Sequence, residues 1–258
     1  TELSATAPLK ILARRVGFRA ATMPGFRPSM IPALRLDYHE VHRRCEQLKA
    51  LLDDAEGARV TLTADGVAHT LHLDLRHRSA HASGGLIPTP GTAGNLPSGE
   101  AFIAPFEGAV GDPSRTEGTL PVQRGDEVVL YAIAGNRVTG ILSQGPESAA
   151  ERRRVAAEPA YGNIAELGLG VLAEFGVEPV GATLLDEKLG LHVAFGRNEH
   201  LGGQVGPADF SSPDQVIHID HVYLPAVQPR IAATAVDLIT RAGAVRPVLR
   251  DGRYVIGR

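Results

Sequence analysis

The chain has 258 residues, 43% of them hydrophobic, and a formal charge of -3, which describes a folded chain with a sizeable core. Near-balanced charge, with no basic run longer than Arg152-Arg153-Arg154, argues against a nucleic-acid partner. The single cysteine, Cys45, excludes an internal disulfide or a cysteine-rich zinc site, and no apolar run suits a membrane span or a secretory signal, so a cytoplasmic location is expected.

Residues 9–18 mix apolar and basic positions and suit a strand or a short helix, which Pro24-Gly25 closes as a turn. Asp37 followed by Glu40 reads as a capping box, and Val41, Cys45, Leu48 and Leu52 recur at helical spacing behind it. Residues 59–63 and 69–75 alternate about Asp65-Gly66, a strong hairpin signal; His69 and His72 then fall on opposite faces and cannot pair on one metal. A Gly-, Pro- and Ser-rich stretch over 83–99 leads to Glu100 at the mouth of a short buried strand, where a carboxylate needs a partner. Gly135-Asn136 marks a second hairpin, residues 148–157 a short helix with solvent-facing arginines, and Asp251-Gly252 a closing hairpin.

The chemistry-bearing residues lie between these landmarks. Glu166 is the one charge in the run Ile164-Ala165-Glu166-Leu167-Gly168-Leu169-Gly170, costly there unless paired or metal-bound, and the glycines permit close backbone approach. Asp186-Glu187-Lys188 reads as a turn that begins a short helix, and His192 shares a strand face with Ala194. A polar loop follows, Arg197-Asn198-Glu199-His200, closed by Gly202-Gly203. In Ile217-His218-Ile219-Asp220-His221 the period of two sets His218 and Asp220 side by side, a two-ligand plate for a divalent ion that wants donors from elsewhere; Glu100, Glu166 and His192 are the candidates. Three carboxylates and two imidazoles exceed the needs of one catalytic zinc, so two ions sharing a carboxylate is the economical reading. The alternatives are an Fe(II) facial triad of His192, His218 and Asp220, and a non-catalytic metal-binding protein.

Together the segments NLPSGE with FIAP, AELGLG, LDEK, LHVAFG with a downstream GG, and HID resemble the thermophilic metallopeptidase family of aminopeptidase T (leucyl aminopeptidase) type, from about residue 22 onward. The resemblance implies Glu100, Glu166, His192, His218 and Asp220 as ligands of two ions, usually zinc, cobalt or manganese. It also implies a homodimer and a short-peptide or other small-molecule substrate. The chain departs from the family in two ways. The family's N-terminal α/β domain is missing or shortened here, leaving one domain over residues 1–258, and Glu199 with His200 stands where the family carries a catalytic tyrosine. Either residue is the candidate for proton transfer in its place. A more distant branch, resembling 2,5-dihydroxypyridine dioxygenases, carries histidine at the position of Glu166, so Glu166 points to the hydrolases. The expected architecture is α+β, with mixed and antiparallel sheets, β-hairpins and a few flanking helices enclosing a metal site.

Overall fold

A computed structural model describes residues 6–257. The amphiphilic opening is a helix, α1 (Thr6–Val16), and the next long helix, α2 (Tyr38–Asp53), starts where Asp37 accepts a hydrogen bond from the backbone N–H of His39 at 2.9 Å. Val41, Cys45, Leu48 and Leu52 form its buried stripe. The expected capping box is only half made, because Glu40 turns outward to Arg43 at 2.7 Å.

Thirteen strands make two main sheets. In chain order they are β1 (Ala55–Ala64), β2 (Val67–Asp74), β3 (His81–Ser83), β4 (Glu100–Ile103), β5 (Glu117–Arg124), β6 (Glu127–Ala134) and β7 (Arg137–Ile141). After helix α3 (Pro146–Ala157) come β8 (Ile164–Gly170), a short helix α4 (Thr183–Asp186), β9 (Leu191–Gly196), β10 (His218–Val222), β11 (Ile231–Thr240), β12 (Val245–Arg250) and β13 (Arg253–Tyr254). The larger sheet has eight strands in the order β7-β6-β5-β2-β1-β11-β12-β13, and the smaller has five in the order β10-β9-β8-β4-β3. All the pairings in both are antiparallel.

Local turn chemistry accounts for the hairpins of the larger sheet. Asp65 and Gly66 have φ of 48° and 83°, Gly135 and Asn136 have 59° and 67°, and Asp251 and Gly252 have 47° and 72°. Positive φ at both central residues is the twist-compatible turn that Asn and Gly adopt cheaply. One main core joins the α2 stripe, Val60, Leu62, Leu71 and Val236 of the larger sheet, and Leu167, Leu169, Val193 and Phe195 of the smaller. No helix among the described residues is long and apolar enough to cross a membrane.

One local expectation is corrected. The arginines of α3 are not all solvent-facing: Arg152 donates to the Ile141 carbonyl at 3.1 Å, and Arg154 pairs with Glu151 at 2.9 Å and lies over the Tyr161 ring, leaving Arg153 exposed. These guanidiniums find acceptors at strand ends and on their own helix, which the helical period alone does not reveal. The expected short helix does begin at Asp186-Glu187-Lys188, as a 3-10 turn over Glu187–Leu189 with Asp186 at its N-cap. Asp186 also closes α4, and its carboxylate accepts from the N–H groups of Val180 and Ala182 at 2.8 and 3.1 Å, tying the segment back to the turn before it.

Candidate metal centre

Strand alternation builds the site. With β10, β9, β8 and β4 in register, Leu167 and Leu169, Val193 and Phe195, and Ala101 and Ile103 point into the main core. Their neighbours in the alternation, Glu166 and Gly168, His192 and Ala194, Glu100, and His218 with Asp220, point to the opposite face. All seven residues of β8 and all six of β9 are buried, so this second face is covered and its charges are withdrawn from water.

The donor atoms of Glu100, Glu166 and His192 all lie within 4.8 Å of one another, and so do those of Glu166, His218 and Asp220. Glu166 belongs to both sets: its Oε1 is 3.4 Å from His192 Nε2 and its Oε2 is 3.2 Å from His218 Nε2. Asp220 Oδ1 stands 3.3 Å from His218 Nε2, and Glu100 Oε2 stands 3.6 Å from His192 Nε2. No such set among the described residues contains both imidazoles. Each ring is aimed by its other nitrogen, since His218 Nδ1 donates to the Arg197 carbonyl at 2.7 Å and His192 Nδ1 to the Gly190 carbonyl at 3.3 Å.

The glycines of β8 are required by this crowding. A Cβ on Gly168 would lie 1.9 Å from His192 Nε2, and one on Gly170 would lie 2.2 Å from the carbonyl carbon of Lys188. A single side chain there would push an imidazole or a backbone segment out of the site.

Two members of the cluster were not among the sequence candidates. Lys188 Nζ is buried and donates to Glu100 Oε1 and to Glu187 Oε1, both at 2.5 Å, and Glu187 lies within hydrogen-bonding reach of Asp220. The available signal was a lysine directly before the apolar run Leu189-Gly190-Leu191, where its charge has to be buried. Four carboxylates thus face one buried ammonium, and the protonation equilibria record the shortage of positive charge. Burial alone would lower the His192 imidazole, yet Glu166, Asp220 and Glu100 hold it up at about 9, and Asp220 and Glu166 likewise raise His218 well above its ordinary value. Burial would raise Glu166, but the two imidazoles draw it down to about 2. Glu187 moves the other way, pushed up by burial and by its neighbours Asp220 and Glu100.

This donor set fits divalent cations. The Oε2 of Glu100 is buried with no hydrogen-bond partner, and positive charge in the cluster is short by more than Lys188 supplies. Cations entering here would replace protons on the imidazoles.

The loop after β9 reaches the same place. Asn198 is fully buried, donates to Glu107 Oε1 at 2.7 Å and accepts from the Val205 N–H at 3.0 Å, which fixes the segment that carries Glu199 and His200. Glu199 is held by Arg197, whose Nε lies 2.8 and 2.7 Å from its two oxygens. His200 presents its ring edge-on to His218, with centroids 5.4 Å apart, and burial together with the neighbouring His218 and Arg197 lowers its pKa. His221 points the other way, into the core against Phe195, where burial and Arg124 push its pKa down to about 3 and keep it neutral.

No protein-family model and no curated protein matches the sequence. The fold is similar to that of AmpT from Thermus thermophilus, at 18% identity and a TM-score of 0.57, over 85% of this chain and 55% of that one. It is also similar to the 2,5-dihydroxypyridine dioxygenase from Pseudomonas putida KT2440, at 18% identity and a TM-score of 0.66, over 98% of this chain and 69% of that one. The chain therefore spans about half the length of the first and about two thirds of the second. At this identity the likeness is one of fold: the chain has the α+β architecture of an aminopeptidase and of a dioxygenase, as the sequence motifs led one to expect.

Proposed function

We propose that the chain is a metal-dependent hydrolase of aminopeptidase type, holding two divalent ions and releasing the N-terminal residue of a short peptide. The observation that carries this reading is the double membership of Glu166, one oxygen facing each imidazole. Glu100 and His192 would complete one position, and His218 and Asp220 the other. When bound, the ions would polarise the peptide carbonyl and acidify an attacking water. Lys188 donates to Glu100 Oε1 and orients that carboxylate. His200 is neutral near pH 7 and would accept the water's proton at Nε2, its Nδ1 lying 3.5 Å from Glu199. Glu199, engaged with Arg197, serves to orient His200.

The second reading, an Fe(II) ring-cleaving dioxygenase with His192, His218 and Asp220 as a facial triad, is favoured by the more extensive likeness to the dioxygenase. It needs both imidazoles on one ion, and no set of mutually close donors among the described residues contains them both.

Metal analysis of the purified chain tests the choice. Two zinc, cobalt or manganese ions per chain, with chelator-sensitive release of the first residue from a tripeptide, is the expected result. One iron per chain with oxygen-dependent opening of a dihydroxypyridine would replace the hydrolase by the dioxygenase. His200→Gln should lower turnover at unchanged metal content and remove the rise of rate with pH that protonated His200 imposes below its ordinary value of about 6.5.

A further inference from the structure

Strand β10 carries His218 and Asp220 of the cluster, and it is the edge of its sheet. Its pairing with β9 is regular, and the N–H of Tyr223 to the Leu191 carbonyl and that of Arg197 to the Ile217 carbonyl, both flanking the ladder, set its phase. Hydrogen-bonded pairs alternate along an antiparallel ladder, so Ile219 and His221 spend their backbone groups on β9, whereas His218, Asp220 and Val222 direct theirs outward. Along that outer edge runs a cleft of about 280 Å³ lined by Asp220, His221 and Val222. Side chains of consecutive strand residues alternate between faces, so what all three share with the cleft is the edge itself.

The edge already holds one amide. Gln228 donates from Nε2 to the Val222 carbonyl at 2.9 Å, while its Oε1 accepts from the Gln123 N–H at 2.7 Å. By the same alternation the N–H and C=O of Asp220 and the N–H of Val222 are directed outward, on the side of the cleft that these residues line. The opposite wall is the turn into α4, where Asp186 accepts from the N–H groups of Val180 and Ala182, so the cleft is preformed. Its walls are polar or aliphatic, including Gly181, Thr183, Ala226 and Val227, and no phenyl or phenol side chain among the described residues lines it. A flat aromatic ring would find nothing to stack on, whereas an extended peptide would find paired backbone donors and acceptors.

We propose that this cleft is the substrate subsite: a short peptide lies extended along the free edge of β10, exchanging main-chain hydrogen bonds with Asp220, whose side chain belongs to the metal centre. The inference rests on the hydrolase reading and deepens it by assigning the recognition to peptide backbone rather than to side chain. The volume lies near the lower end of the roughly 300–1,000 Å³ of small-molecule sites, which suits a substrate of very few residues. Edge strands are otherwise protected against pairing, and here the cleft leaves room for one short partner only.

The test uses the metal-loaded chain and a tripeptide whose first amide is replaced by a methylene-amine, so that it binds without being cleaved. Titration calorimetry should show binding by the parent chain. It should weaken by tenfold or more for Thr183→Trp, which fills the cleft from its exposed rim, with metal content unchanged. An N-methylated tripeptide, lacking the N–H that Asp220 accepts, should weaken as much. In amide NMR spectra, Asp220 and Val222 should shift on adding the parent peptide. A chain with two ions, in which Thr183→Trp and N-methylation leave affinity unchanged and neither amide shifts, overturns the edge subsite and leaves the hydrolase standing. A chain without the two ions, in which the peptide still shifts both amides, removes the hydrolase and leaves the edge as a peptide site.

Discussion

The two sheets treat buried charge in opposite ways. In the larger sheet Asp237 is buried yet met by Arg59 and Arg250, and Asp74 is buried yet met by Arg76, which also reaches Asp112. Both of these buried aspartates are met by a guanidinium, which makes burial tolerable. In the smaller sheet Glu100, Glu166, Glu187 and Asp220 gather about Lys188, and the imidazoles are forced to bind protons to make up the difference. Satisfied carboxylates mark scaffold, and a cluster short of positive charge marks a place for cations.

The contrast can be broken by removing the buried ammonium of Lys188. Lys188→Met leaves Glu100 and Glu187 buried without an ammonium and should destabilise the metal-free chain by about 3–5 kcal/mol in urea titrations. An unchanged midpoint would mean that the cluster carries no charge deficit at all. Gly168→Ala is the next largest: its Cβ would displace the His192 ring, and metal affinity should fall about 10–100-fold by competition with a chelating dye.

On the scaffold side, Asp74→Asn should cost about 1–3 kcal/mol at neutral pH, since Asp74 takes hydrogen bonds from Arg76 and from the Arg115 N–H. Burial tends to raise the Asp74 carboxyl, and those donors outweigh it, so its folded pKa lies below the unfolded value. The stabilisation is therefore complete above the unfolded value of about 3.9 and disappears as pH falls through the folded one. Parent and variant should accordingly converge below about pH 4, and a constant gap would contradict the assignment. The smallest effect is expected for Gly66→Ala in the first hairpin turn, where φ is 83° and a Cβ would touch nothing. That change should cost about 1 kcal/mol by thermal melting and leave metal content alone.

Much of the larger sheet was legible residue by residue. Asp65-Gly66, Gly135-Asn136 and Asp251-Gly252 each make the turns expected of them, because a turn is decided by two residues and their φ preferences. The cap at Asp37 was legible for the same reason, and the partner of Glu40 was not, because Arg43 competes for it. In the smaller sheet alternation was enough to set His218 beside Asp220 and His192 beside Ala194.

What the sequence by itself determined, then, is which side chains share a face within one strand and where the chain reverses, both being properties of neighbouring residues. Only the tertiary structure decided that β10, β9, β8 and β4 lie side by side in that order, which carries Glu166 between two imidazoles. It also decided that Lys188 crosses 88 positions of sequence to meet Glu100, and that the outer edge of β10 stays open beside Asp220. The physical reason is that alternation and turn geometry follow from backbone sterics over a few residues, whereas the charge around a buried carboxylate is summed over every strand packed against it.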